Sequence, residues 1–311
     1  MLHPHNRLAL IDMGTNTFPR LIVELRPGEK PHELLRTKAG VRLGEGGISR
    51  GEIAPAPYAR ALHTLAGFRE EMELHGVTQT RATATSAMRV ARNGPDLVRD
   101  IAEQFGIAVE IIGGEREAEL IWKGIRQAVP LGEKPQLLMD IGGGSVEFIL
   151  ANDREIFWKQ SFEIGAQRLL DQFFADPSGI VPAATVAALQ TYFGTVLEPL
   201  TAALGAWPPA GLVGASGSFD SLADMQHGHI RPEAELPPYT ELALSSFRHS
   251  YAQLLSLNHA QRAALPGILP MRANMLVVAS VLIDWVLGVS GIETIRASAF
   301  ALKEGLLSEM A

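Results

Sequence analysis

Cysteine is absent from all 311 residues. That excludes disulfides, thiol catalysis and cysteine-ligated zinc, and it fits the reducing cytoplasm expected here. Positive charge is in short supply as well. The chain has 27 Lys and Arg against 34 Asp and Glu, a net charge of −7. A dedicated nucleic-acid binder carries a basic face, so no nucleic acid is expected as partner. A polyanionic small substrate is still open to it, because a local basic patch or a bound divalent cation is enough to hold one. Long hydrophobic runs are missing too. The most apolar stretch, MLVVASVLIDWVLGV at 275–289, contains Ser280 and Asp284. A membrane span takes about 20 apolar residues, so this stretch is expected to be a buried helix and no membrane partner is expected. The opening, MLHPHNRLALIDMG, has no basic region leading into an apolar core, and no signal peptide is expected. The nine histidines show no metal-ligand spacing such as H-E-x-x-H.

What is present is an ordinary globular composition, 47% hydrophobic and 20% charged, long enough for about two domains of roughly 100–200 residues each. The opening reads as a strand at Leu8–Ile11 ending on Asp12, a turn MGTNT, and a second strand at Leu21–Leu25. A third strand and a glycine-rich loop follow in PHELLRTKAGVRLGEGG. Apolar residues at helical spacing predict a helix over Pro55–His75. Arg81–Thr85 reads as a strand, with Ser86 capping a helix that carries Met88 and Arg89. Val109–Ile112 reads as a strand and Glu115–Ala128 as a helix after two glycines. Strands are predicted again at Gln136–Ile141 and Val146–Leu150. Beyond Leu150 the chain reads as mainly helical, over Ala183–Leu204, Glu241–Leu257 and Met271–Val289. The tail IRASAFALKEGLLSEM reads as one amphipathic helix.

The opening pattern occurs twice. LALIDMGTNTF and LLMDIGGGSVEF share an apolar run, an aspartate, one apolar residue, a glycine, three small residues and a strand. Such self-similarity predicts two duplicated halves. A glycine-rich linker would lie in polar surroundings, and a plain Gly-Gly hairpin turn leaves Asp140 and the first copy unexplained. An anion cradle explains them. Glycines let successive amides converge on a phosphate, Ser145 adds a hydroxyl, and an aspartate at the strand end can hold magnesium, which prefers one or two carboxylates plus phosphate oxygens. A third small-residue turn, GASGS, spans Gly214–Ser218.

These segments resemble the phosphate loops of the actin-like ATPase superfamily, and within it the exopolyphosphatase and guanosine pentaphosphate phosphohydrolase family. VRLGEGG at 41–47, TATSAMRVARNG at 83–94, IIGGEREAELIWKG at 111–124, GASGS, and ALKEGLL at 301–307 resemble that family's further segments in order. The resemblance implies an α/β fold of two actin-like (ribonuclease H-like) domains, each a mixed sheet with flanking helices, and an active-site cleft between them. The expected domains are 1–124 plus 295–311, and 125–294, as in the family's shorter members. It implies hydrolysis of a terminal phosphate from inorganic polyphosphate with Mg2+ or Mn2+. The alternatives are guanosine pentaphosphate (pppGpp) as substrate, or a non-catalytic sensor binding either compound. A homodimer is also implied.

The implied catalytic residues are Glu117, orienting water, and Arg89, holding phosphate. Phosphate contacts fall to Gly14, Thr15, Asn16 and Thr17; to Gly142, Gly143, Gly144 and Ser145; to Gly214, Ser216 and Gly217; and to Arg42. Asp12, Asp140 and Glu147 fall on the acidic positions around the metal. By residue chemistry alone, Glu117 could equally be a first-turn glutamate favoured by the helix dipole, and Glu147 a solvent-facing strand residue. A long polyphosphate would call for a basic groove, to which Arg81, Arg89, Arg92 and Arg99 could contribute. The chain departs from the family pattern in four places. Arg116 replaces an acid, Pro19 opens the second strand, Gly113 replaces a serine, and Ala299–Phe300 replace a more polar pair.

Overall fold

The computed structural model describes residues 6–232 and 235–310. They form two compact units, Met1–Leu120 with Leu302–Ala311, and Ile121–Ala301.

The first unit opens with β1 (Asn6–Met13), β2 (Phe18–Leu25) and β3 (His32–Ala39), an antiparallel meander. Helix α1 (Pro55–Leu74) then leads to β4 (Gln79–Ala84), which pairs parallel with β1. The single turn α2 (Ser86–Val90) and α3 (Gly94–Phe105) carry the chain to β5 (Val109–Ile111), parallel to β4, and α4 begins at Gly114 and runs to Ala128. The sheet order is β3-β2-β1-β4-β5. Leu65, Phe68 and Met72 of α1 and Leu97 and Ile101 of α3 cover one face, over Ala9, Ile11 and Met13. Pro19 is accommodated because pairing between β1 and β2 ends at Ile11 and Arg20. Pro19 therefore faces only Lys38 of β3, where a missing amide breaks no bond to β1.

The second unit repeats this plan. β6 (Gln136–Ile141), β7 (Val146–Ala151) and β8 (Ile156–Phe162) form the meander. The chain continues through α5 (Ala166–Phe173), α6 (Ala183–Val196) and α7 (Glu198–Ala206) to β9 (Leu212–Ala215), parallel to β6. Next come α8 (Ser216–His227), β10 (Tyr239–Leu242), α9 (Leu244–Ser256), α10 (His259–Ala263), α11 (Ala273–Ser290) and β11 (Ile295–Ser298). The sheet order is β10-β11-β9-β6-β7-β8, with β11 parallel to β9. Read from β8, this matches β3-β2-β1-β4-β5 strand for strand, with β10 added at the far edge. Both units therefore carry the same mixed-sheet plan, the duplication that the sequence repeat predicts. The apolar stretch at 275–289 is the buried helix expected. Leu276 through Ile283 of α11 lie in the core with Phe148, Phe193 and Phe219. Full burial of each such side chain stabilises by about 1.5–3 kcal/mol.

Four local expectations are corrected. The tail is not one helix from Ile295. Ile295–Ser298 is strand β11 in the second unit's sheet, and only α12 (Leu302–Ser308) is helical. Ile295, Ala297 and Ser298 are buried between β9 and β10, and their backbone groups are satisfied by neighbouring strands. The change of unit accordingly falls at 301/302, and the earlier one at 120/121. Ala183–Leu204 is two helices, because Pro199, near the start of α7, cannot continue the hydrogen-bond ladder of α6. Glu241 and Leu242 belong to β10, so the third helix starts at Leu244. Ser86 is the first residue of α2, Thr85 holds the cap position, and no side-chain cap bond forms there.

Candidate active site

Asp12 and Asp140 occupy equivalent places near the carboxyl ends of β1 and β6. Across the parallel neighbour strand they face Thr83 and Ala215. The turns that follow share one geometry. A Cβ on Gly14 would lie 3.1 Å from the Thr17 carbonyl oxygen, and one on Gly142 would lie 3.0 Å from that of Ser145. Both first glycines therefore sit in a tight turn, where a side chain would push the facing carbonyl back by a few tenths of an ångström. Thr15 and Ser145 are buried and Asn16 and Thr17 half-buried. The Gly143 and Gly144 amides donate to no backbone carbonyl among the described residues, which leaves them available to an anion.

The first unit brings Arg89 and Glu117 together. Glu117 sits in the first turn of α4, 6% exposed, with its amide bonded to the Gly113 carbonyl. Arg89 Nη1 donates to Glu117 Oε2 at 2.9 Å and to the Ile112 carbonyl at 3.1 Å. Arg89 lies in α2, against which α3 starts closely. A Cβ on Gly94 would fall 2.2 Å from the Met88 carbonyl oxygen, so only glycine lets α3 start this close to α2. The ion pair with Arg89 and the burial of Glu117 fix the direction of its carboxylate. Arg42 has φ of 51° and donates its amide to the Asn16 carbonyl at 2.8 Å. This ties the loop after β3 to the turn after β1, while its guanidinium lies 3.9 Å from Glu45.

In the second unit, Asp140 and Glu147 are direct cross-strand partners, 6% and 1% exposed. Glu147 is not a solvent-facing strand residue. Ser161 of β8, its partner on the other side, donates to Glu147 Oε1 at 2.7 Å. The third turn divides its roles. Gly214 lies inside β9, and a Cβ there would overlap the Phe219 ring at 2.1 Å. Ser216 starts α8 with φ of 69°, an uncommon conformation for serine that points to a constrained strand-to-helix turn.

Sequence reasoning missed Arg272. Its Nη1 donates to the Gly217 carbonyl at 2.7 Å, and its guanidinium fills the space where a Gly217 side chain would be. No local pattern announces it, because 55 residues separate it from the turn it covers. Arg116 turns to the tail and pairs with Glu309 and, at 3.6 Å, Glu119. Of the four arginines considered for a basic groove, Arg81 is exposed on β4 and the other three have acidic partners. Arg89 pairs with Glu117, Arg92 with Glu52, and Arg99 with Asp96 and Asp100.

Among the described residues no three His, Asp or Glu side chains converge as a metal cage. Magnesium does not need one, since it takes one or two carboxylates and completes its shell with water and substrate phosphate. Asp12 of the first unit suits it as a carboxylate oxygen donor, as do Asp140 and Glu147 within the second. So does the buried Thr83 hydroxyl beside Asp12, which has no hydrogen-bond partner among the described residues.

Three comparisons bear on this geometry. A model of the Ppx/GppA phosphatase family matches residues 21–311. Exopolyphosphatase 1 of Mycobacterium tuberculosis is 29% identical over 303 residues, covering 97% of this chain and 87% of that protein. A crystal structure of an exopolyphosphatase from Cytophaga hutchinsonii superposes with a TM-score of 0.93 at 43% identity, over 98% of this chain and 97% of that one. The Ppx/GppA enzyme of Aquifex aeolicus shares the fold with a TM-score of 0.80 at 20% identity, over 98% of this chain and all of that one.

Proposed function

The chain belongs to the Ppx/GppA phosphatase family, and we propose that it is an exopolyphosphatase that hydrolyses the terminal phosphoanhydride of inorganic polyphosphate with magnesium or manganese. The observation that carries the reading is Glu117, buried at the start of α4 and held 2.9 Å from Arg89. Hydrolysis of a phosphoanhydride needs a water aimed in line with phosphorus and cations on the phosphate oxygens. Glu117 orients that water and accepts its proton at a carboxylate oxygen. Arg89 holds the Glu117 carboxylate in place and contacts the terminal phosphate. The turns at Gly14–Thr17 and Gly142–Ser145 hold non-bridging oxygens through backbone amides, with Ser216 and Gly217 assisting. Asp12, Asp140 and Glu147 are the carboxylates that would hold a divalent cation, which would supply neutralisation of the charge on the phosphate oxygens.

Guanosine pentaphosphate is the second reading. Arg92 and Arg99 are committed to acidic neighbours, and a short nucleotide has no need of a basic groove for a long polyanion. Phosphate release should be measured from long-chain polyphosphate and from guanosine pentaphosphate in parallel, with magnesium and a Glu117→Gln control. Release mainly from polyphosphate, lost in the variant, is the expected result. Preference for the nucleotide would move the substrate assignment, and release from neither would overturn the hydrolase reading in favour of a binding protein.

A further inference from the structure

The chain that follows the third strand holds the phosphate turn in the same way in both units. In the first, the Arg42 amide donates to the Asn16 carbonyl at 2.8 Å and the Gly44 amide to that of Thr15 at 3.0 Å. In the second, the Gly165 amide donates to the Gly144 carbonyl at 3.0 Å and the Gln167 amide to that of Gly143 at 2.9 Å. Thr15 and Asn16 correspond to Gly143 and Gly144 in the repeat, and in each unit the donors stand two residues apart. The second brace is the fuller one. Ala166 donates to the Gly142 carbonyl at 2.9 Å, the Arg168 amide to that of Gly143 at 3.2 Å, and Arg168 Nε to that of Gly144 at 3.2 Å.

The consequence follows from peptide geometry. In a trans peptide the carbonyl and the next residue's amide point in opposite directions within one plane. Engaging the carbonyls of Gly142, Gly143 and Gly144 therefore turns the amides of Gly143, Gly144 and Ser145 to the other side. Engaging those of Thr15 and Asn16 does the same for the amides of Asn16 and Thr17. Glycine peptides otherwise adopt either sign of φ with ease, and a flipped one would set a carbonyl oxygen against a phosphate.

We propose that Arg42–Gly44 and Gly165–Arg168 are positioning segments that lock the peptide orientation of the two turns for a phosphate chain. The proposal rests on the phosphate-binding reading above. Packing supports it. A Cβ on Gly165 would sit 2.3 Å from Gly143 C and Gly144 N, atoms that cannot yield without moving the turn, so glycine is required there. Each brace is itself anchored. Arg60 of α1 donates to the Val41 carbonyl and to Glu45, both at 2.6 Å, and Arg168 Nη2 donates to Glu163 at 2.8 Å. The two braces share almost no sequence, V-R-L-G against I-G-A-Q-R, so the repeat alone does not disclose them.

The test is the affinity of the full chain for magnesium tripolyphosphate by calorimetry, with the thermal midpoint and the amide NMR shifts of Gly143, Gly144 and Ser145 recorded on the same samples. In Gly165→Ala the turn amides should shift and affinity should fall by more than about tenfold, the equivalent of one or more charge-assisted hydrogen bonds. If Gly165→Ala does not fold, Arg168→Ala carries the test, because it removes the Nε contact and the Glu163 anchor and leaves the backbone donors of the brace in place. It should lose affinity and raise KM with its midpoint and kcat little changed. Folded variants that bind as the wild type does would overturn the brace and leave the hydrolase reading standing. A wild type that binds tripolyphosphate without hydrolysing polyphosphate would sink the hydrolase reading while the brace is still measured. Wild-type failure to bind overturns both.

Discussion

Arg89 Nη1 bridges Glu117 Oε2, at 2.9 Å, and the Ile112 carbonyl, at 3.1 Å. One cation thus serves the buried carboxylate and the chain end from which α4 departs. Glu117→Gln keeps the shape of the side chain and removes the charge. Phosphate release should fall by about 10²–10⁴-fold, the usual worth of a positioned general base, while tripolyphosphate still binds. Release at the wild-type rate would remove Glu117 from the chemistry.

Arg89→Ala withdraws a cation from a carboxylate whose side chain is 9% exposed. Stability should drop by about 1–3 kcal/mol, with activity falling as well. Arg89→Lys should regain much of the stability but little of the activity, because an ammonium cannot reproduce the guanidinium fork on a phosphate. Denaturant unfolding alongside phosphate release separates the two effects. Equal recovery of both by lysine would show that Arg89 acts only through Glu117.

Ser161 holds Glu147 at 2.7 Å from the strand beyond it. If Glu147 faces the cation, Ser161→Ala should raise the magnesium concentration for half-maximal activity roughly tenfold, the scale of lost outer-shell bonds. Activity at saturating magnesium should change little. A magnesium titration identical to wild type would take Glu147 out of the metal set.

The repeat was legible because an aspartate, a glycine and a following strand are local features. Asp12 and Asp140 alone disclose two equivalent first strands, and the observed sheet orders agree. The family resemblance marked Arg89 and Glu117 one by one, but their ion pair was not legible, since 28 residues separate them. What stayed hidden depends on partners distant in sequence. β8 reads as no clear strand, because its residues are nearly all half-buried and show no two-residue alternation. β11 becomes a strand only between β9 and β10. α3 was not legible although its apolar residues Leu97, Val98 and Ile101 are well placed, because Asn93, Gly94 and Pro95 at its start read as a turn. Arg272 and the Gly165 brace are legible only where the chain folds back onto a turn.

The close docking of α12 gives a stability test that is independent of function. A Cβ on Gly305 would fall 1.9 Å from the Leu120 carbonyl oxygen, at the join between α12 and α4. Gly305→Ala should cost about 1–3 kcal/mol through overpacking. Gly288, in the exposed last turn of α11, has nothing within 4 Å of its Cβ position. Gly288→Ala should instead stabilise by up to about 1 kcal/mol through helix propensity. Thermal midpoints of the two variants should therefore move in opposite directions, and a shared direction would contradict this packing of α12.

Asp284 interrupts the apolar run of α11, and burial raises its carboxyl above the ordinary 3.8, opposed by a hydrogen bond from Tyr251 and by the charge of Arg248. Tyr251 is itself pushed up to about 12, by burial first and by Asp284 next, so it stays neutral at any ordinary pH. The folded state binds the Asp284 proton more tightly than the unfolded state does. Its contribution is then fully present below the unfolded value and is lost as pH rises through the raised folded value. Asp284→Asn mimics the protonated form and can still accept from the Tyr251 hydroxyl. The variant should unfold at a higher temperature than wild type at neutral pH, and the gap should close as pH falls towards 3.8. Asp171 is also raised by burial and is common to both proteins, so the comparison isolates Asp284. A gap that widens on acidification would mean that the carboxylate, and not the acid, is the form the fold prefers.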